Sequence, residues 1–188
     1  MIANNTRLVV TLDYGANQTE VPWLLDEFAY QWQTPFSPTD PSFPCTAQRP
    51  PDQNDEVSRD RMYVANHNLN LDIGFAFLNT EGNGAGILIP AYTELEWVNG
   101  VAGNRSLGEH VERCVGLWDR APNWLLVDYY NRGRPFGGSV FAVAARANNV
   151  SYDRRQCCGK VVEGRRRMGG FSWGTACLVL VLVVGVLL

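Results

Sequence analysis

Two apolar runs in this 188-residue chain end in the same chemistry. Leu8 to Tyr14 reads LVVTLDY and Trp124 to Tyr130 reads WLLVDYY, so each drives apolar sequence into an aspartate followed by tyrosine. Such runs resemble buried strands of a parallel sheet, and in parallel α/β folds the carboxyl ends of the strands carry the ligand site. On that reading Asp13, Tyr14, Asp128 and Tyr129 ring one mouth. Acids placed just after strands also cap loops through local hydrogen bonds, and the sequence is equally compatible with that role.

The other groups able to move protons or hold ions are few. His67 lies in ANHNLN, while His110 falls inside a predicted helix at a position expected to face solvent. Acid–base catalysis needs titrating groups within hydrogen-bond reach of the reacting atoms, and nothing in their spacing brings these two together. Cys45, Cys114, Cys157, Cys158 and Cys177 have no metal-ligand spacing, and Cys157-Cys158 is adjacent rather than C-x-x-C. The sequence therefore predicts no metal. Calcium is the alternative, drawing on Asp13, Asp128 and Asn66 as oxygen ligands. Residues 79–86, NTEGNGAG, lack the Gly-Lys-Ser/Thr that would make them a phosphate loop.

The elements that must position these groups alternate. Residues 7–12 and 62–65 read as strands, and Val21 to Trp32 as a helix with Pro22 in its first turn and Leu24, Leu25, Phe28 and Trp32 near one face. Residues 33–61, rich in Pro, Asp and Ser, form a loop too long to be idle. Ser106-Leu107-Gly108-Glu109 is a capping box opening a helix with Leu107, Val111, Cys114, Val115 and Trp118 at helical spacing. Residues 124–127 are a further strand, and 139–149 a helix rich in Ala and Val. Strand, helix, long loop, strand, helix, strand, helix indicates a parallel sheet with crossover helices, with too few strands to close an eight-stranded barrel.

Composition excludes some partners. Net charge is −3 and 19% of residues are charged, so nothing is basic enough for nucleic acid. Six Trp and seven Tyr suit a core, or a pocket for a carbohydrate or lipid headgroup. Four Asn-x-Ser/Thr acceptors, at Asn4, Asn17, Asn104 and Asn149, lean towards a lumenal or secreted body. In an oxidising compartment Cys45 and Cys114 are disulfide candidates, with each other or with Cys157 and Cys158.

The terminus points the same way. Phe171 to Leu188 is almost wholly apolar and follows Arg165-Arg166-Arg167. As a helix it reaches only about 27 Å, short of the roughly 30 Å hydrocarbon core. It fits a removable glycosylphosphatidylinositol signal better than a short transmembrane span, although the spacer falls near Gly164-Arg165-Arg166 rather than on three small residues. No apolar leader opens the sequence, so a secretory body is expected to lack its front part. Residues 1–159 are then one domain, 160–170 a basic, glycine-containing linker and 171–188 the tail.

Several ordered segments carry a family resemblance. LDYGAN, VPWLLDEF, TPFSPTDPSFPCTAQRPP, YVANHNLN, GNRSLG, PNWLLVDYYNRG, GSVFAVAARANNVSY and Cys157-Cys158-Gly159 resemble fungal secreted phosphatidylinositol-specific phospholipase C-like phosphodiesterases over about residues 7–159. The resemblance implies an α/β fold that is part of a (β/α)8 TIM-type barrel, approximately its second half, with a C-terminal hydrophobic helix beyond it. It implies a phosphodiester-cleaving site built on two histidines in Thr-His-Asn-type motifs of the first half; neither motif occurs here. The chain alone is therefore expected to be inactive, or to be a non-catalytic membrane-anchored surface protein. Asp128 resembles the catalytic carboxylate that orients the base histidine. Asp13 and Tyr14 resemble mouth residues, and Asn66, His67 and Tyr129 are expected to line the headgroup site. The implied partner is an inositol phospholipid headgroup or a membrane surface, with homodimerisation a further expectation from the unpaired edges of a half-barrel.

Overall fold

The computed structural model describes residues 8–74, 86–135 and 139–153. Asn4, Cys157, Cys158, the linker, the apolar tail and all of the 79–86 loop but Gly86 lie outside the described residues.

Strand β1 (Val10–Leu12) pairs in parallel with β2 (Leu24–Asp26). The chain then makes a one-turn helix, α1 (Glu27–Tyr30), and enters β3 (Gln31–Gln33). The helix expected over Val21–Trp32 is thus two strands joined by a single helical turn. Leu24, Phe28 and Trp32 recur every four residues, which imitates a helical face. Pairing of residues 24–26 with β1 overrides that local pattern, and the Asp26 carboxylate caps the turn by accepting from Phe28 N at 3.2 Å. The long segment that follows also carries a short helix, α2 (Asp55–Asp60), capped by Asn54.

Strand β4 (Met62–Asn66) lies parallel to β3 on one side and to β7 (Trp124–Leu126) on the other. Between them come an antiparallel hairpin, β5 (Asn70–Ile73) and β6 (Ile87–Pro90), a 3-10 turn at Tyr92–Glu94 and helix α3 (Leu95–Val98). Helices α4 (Leu107–Trp118) and α5 (Ser139–Ala147) complete the order. The described strands form three small sheets and no closed barrel.

Alternation along the strands separates a helix-facing side from a polar side. Trp32 and Tyr63 are register partners and stack with ring centroids 4.4 Å apart; Trp118 of α4 closes on Trp32 at 4.8 Å. Each polar tip is satisfied: Trp32 Nε1 donates to Ser58 O, Trp118 Nε1 to Cys45 O and the Tyr63 hydroxyl to Arg120 O. A second cluster, Leu107, Val111, Val140 and Val143, joins α4 to α5 beneath Leu125.

The predicted capping box is present in altered form. Ser106 Oγ accepts from Glu109 N at 3.1 Å, while the Glu109 carboxylate accepts from Arg105 N rather than from Ser106. Ser106→Ala should cost about 1 kcal/mol, read as a lower urea midpoint with an unchanged slope.

Candidate functional site

The carboxyl ends of the parallel strands converge on a hydrogen-bonded polar cluster. Asp13, one residue past β1, accepts from Arg49 Nη2 at 2.8 Å. Arg49 Nη1 donates to Gln33 Oε1 at 3.2 Å, and Gln33 Nε2 donates to the Glu27 carboxylate at 2.5 Å. Asn66, ending β4, donates through Nδ2 to Thr34 O at 2.9 Å and to Gln33 Oε1 at 3.3 Å. These contacts fix both amide orientations and leave Asn66 Oδ1 buried without a partner. Glu27, Gln33, Thr34 and Asn66 are all buried, so the cluster is a built polar site and not a solvated surface.

Arg49 is its centre. The guanidinium lies 4.3 Å from the Phe36 ring centroid, 5.0 Å from that of Tyr14 and 5.6 Å from that of Phe28. Burial works against its charge, but hydrogen bonds and charge attraction from Tyr14 and Asp13 outweigh it and hold the proton more firmly than in a free arginine. Expectation from sequence had placed Asp13 and Tyr14 here and missed Arg49, Glu27 and Gln33. The available signal was the length of the 33–61 segment: a loop that long in a compact domain brings something to a site.

Asp128 follows β7 and is half-buried, and burial raises its carboxyl above the ordinary range. Its backbone carbonyl, like that of Tyr129, accepts from Asn99 Nδ2, at 2.8 and 3.3 Å. Tyr129 is half-exposed in a left-handed conformation, φ 49°. The Asp128 carboxylate hydrogen-bonds to neither His67 nor His110; the base histidine it was expected to orient belongs to the first half of the barrel, which this sequence does not contain.

The histidines occupy the interior. His67 is 0% exposed and His110 2%, and their Nδ1 atoms are 3.0 Å apart. His67 Nε2 lies 2.8 Å from Val98 O. A carbonyl only accepts, so Nε2 of His67 carries the hydrogen and its Nδ1 is the acceptor. His110 must then donate from Nδ1, leaving its Nε2 lone pair buried and unpartnered. Burial, then repulsion by His110, lowers the His67 pKa to about 3 against a smaller opposing effect of the Val98 carbonyl. Burial and then Arg113 lower that of His110 to about 4. The solvent-facing position expected for His110 is corrected: residues 107, 110, 111, 114 and 118 form one buried stripe on α4. His67, expected at the headgroup rim, has both ring nitrogens engaged inside the protein.

Among the cysteine alternatives, Cys45 bonds Cys114, with Cα atoms 5.4 Å apart. Cys45, His110 and Cys114 place possible ligand atoms within 4.8 Å of one another, but the disulfide occupies both sulfurs. No such group of three His, Cys, Asp or Glu includes Asp13 or Asp128 among the described residues, and Asp13 is already committed to Arg49.

Parallel strands ending in this cluster give a mixed α/β fold with a candidate site at the strand ends. A family model described as PI-PLC X 1 matches residues 1–140, and the chain belongs to the PI-PLC X family. It is similar to an "Uncharacterized secreted protein" of Arthroderma benhamiae, 50% identical over 163 residues covering 87% of this chain and 35% of the relative. It is also similar to "PI-PLC X domain-containing protein 1" of that organism, 34% identical over 134 residues, 71% of this chain and 39% of the relative. The chain thus spans little more than a third of the length of these curated relatives. No solved structure matches it.

Proposed function

We propose that this chain is the headgroup-holding portion of a secreted phospholipase C-like phosphodiesterase domain, part of a (β/α)8-type barrel, and that it binds inositol phospholipid or glycosylphosphatidylinositol-type headgroups without turning them over by itself. The reading is carried by one observation, the Asp13–Arg49 pair braced by Gln33, Glu27 and Asn66 at the strand ends. Alternating carboxylate, guanidinium and amide groups offer donors and acceptors to polyol hydroxyls, and a guanidinium matches phosphate oxygens. The exposed rings of Tyr14 and Phe36 flank the arginine and give the apolar edge of a sugar-like ring a surface to lie on.

Binding without turnover follows from the histidines. The chain has two, they touch each other in the core, and both are held neutral. A phosphodiester needs an acid and a base on opposite sides of the phosphorus, and a 3.0 Å contact leaves no space for one. Secretion is supported by the description of the 50% identical relative and by the exposure of Asn17, Asn104 and Asn149, which leaves these acceptors open to glycosylation. Among the described residues no helix is long and apolar enough to cross a membrane; the anchor, if the tail supplies one, lies outside them.

The test is calorimetric titration of the full chain with myo-inositol 1-phosphate. Binding should weaken at least tenfold in Arg49→Gln, with no release of inositol phosphate from phosphatidylinositol above background. Undiminished binding in Arg49→Gln, or release that disappears in Asp128→Asn, would overturn this reading.

A further inference from the structure

His110 and Cys114 stand four residues apart on the buried stripe of α4, one helical turn from each other on the same face. The segment after β3 brings Cys45 against that face. Among the described residues these three alone form a group of His, Cys, Asp or Glu whose ligand atoms lie within 4.8 Å of one another. All three are buried, at 2%, 0% and 1% exposure in the order His110, Cys114 and Cys45. None belongs to the Asp13–Arg49 cluster, so what they do stands or falls apart from the headgroup reading.

His110 is held as a metal ligand would be. Its Nδ1 donates to His67 Nδ1 at 3.0 Å, and His67 Nε2 donates in turn to Val98 O at 2.8 Å. Phe43 lies against both rings, its centroid 3.8 Å from that of His67 and 5.5 Å from that of His110. This relay fixes the tautomer, which leaves the in-plane lone pair of His110 on Nε2. That atom is buried and unpartnered among the described residues, where buried acceptors normally find a donor. Metal-binding histidines share the arrangement: an outer partner holds one ring nitrogen and the other is left to the ion.

We propose that Cys45, Cys114 and His110 form a zinc site in the dithiol state of the chain. A dithiol reductant breaks the Cys45–Cys114 bond; its two hydrogens and two electrons pass to the sulfurs, and it closes its own disulfide. Zinc then binds both thiolates and His110 Nε2, and the two thiol protons leave to solvent. Two thiolates cancel the charge of the ion, so the buried site is neutral overall. Thiolate with imidazole selects zinc over the oxygen-seeking calcium and magnesium. Tetrahedral zinc sets sulfur and nitrogen ligands about 3.5–3.8 Å apart, a spacing that side-chain rotation can reach from the present positions. Three protein ligands leave the fourth place to water. A cavity of about 300 Å³ lined by Cys45, Asp55, Arg59 and Trp118 gives reductant and ion an approach. Every newly made chain passes through the dithiol state, and zinc there ties the loop to α4 before oxidation does.

The test uses the full chain carrying Cys157→Ser, Cys158→Ser and Cys177→Ser, so that Cys45 and Cys114 supply its only thiols. It is reduced with a trialkylphosphine, which takes up oxygen from water as the bond opens and competes little for metal. Titrated with zinc at neutral pH, the reduced chain should bind one ion and the oxidised chain none. Zinc should raise the urea midpoint of the reduced chain alone. Cobalt in its place should show thiolate charge-transfer absorption and the intense visible bands of a tetrahedral site. His110→Asn should weaken zinc roughly a hundredfold or more and shift those bands. A reduced chain that binds no zinc would overturn the proposal, folded or not, because ion and fold are linked in such sites. Binding that His110→Asn leaves unchanged would do so too, since the thiols alone would then hold the ion. Equal binding by the oxidised chain would place the ion away from the sulfurs altogether.

Discussion

Replacing Cys45 and Cys114 together by alanine should lower stability by about 4 kcal/mol, the chain-entropy value for a cross-link spanning this many residues. The bond closes a separation of 69 residues and holds the irregular 33–61 segment to α4. Both sulfurs are buried in the cluster of Trp32, Tyr63 and Trp118, so alanine also removes packing there. The rest of the fold has little to compensate, because among the described residues its sheets have two or three strands of three to five residues. The check is a urea titration of wild type and of the double variant at neutral pH. A midpoint that does not move would mean that the cross-link fixes nothing the remaining contacts do not already fix.

Acid should destabilise the protein over a definite window. His67 and His110 have folded pKa values of about 3 and about 4, well below the unfolded value of about 6.5. The unfolded chain therefore binds more protons than the folded one between those limits. The stabilisation is fully present above about pH 6.5 and is lost as pH falls through the folded values, at up to roughly 1.4 kcal/mol per pH unit for each histidine. Charging His67 would also set N–H against N–H at the contact between the rings, and charging His110 would bury an Nε2–H without an acceptor. Urea midpoints should fall steeply between pH 7 and pH 4.5. His67→Gln/His110→Asn keeps a donor for the Val98 carbonyl and a polar contact between the two positions but has nothing to titrate, so its profile should be much flatter. Equal slopes for the two proteins would assign the acid sensitivity elsewhere.

The sequence was most legible where a local rule and the tertiary structure agree. LVVTLDY and WLLVDYY are strands running into aspartate, and the Ser106 cap opens a helix, because apolar alternation and capping act over a few residues. It misled at Val21–Trp32, where two strands joined by a helical turn reproduce a four-residue repeat; only the partner strand, whose residues pair with those fourteen positions later, distinguishes the two. His110 was misplaced because its polarity was weighed above its position on the buried stripe of α4. Arg49 escaped notice because nothing near it in sequence marks it. Asp13, Gln33 and the three rings around it come from four separate stretches, and only folding gathers them. Between Cys45 bonded to Cys114 and the other pairings, sequence offered no choice, since bridge geometry depends on where the backbone passes.

The disulfide has a consequence for the arginine four residues beyond it. Cys45 pins the stem of the loop, the Gln48 and Arg49 amides both donate to Gln33 O, and Asp13 and Gln33 hold the guanidinium itself. The arm is immobilised at root, middle and tip before any guest arrives. Its rotamer freedom is surrendered during folding, so capture of a headgroup there should proceed with small entropic loss, as a rigid receptor does. Cutting the tether at Cys45 should therefore erode affinity at the proposed site as well as stability, even though both sulfurs lie in the aromatic cluster of Trp32, Tyr63 and Trp118.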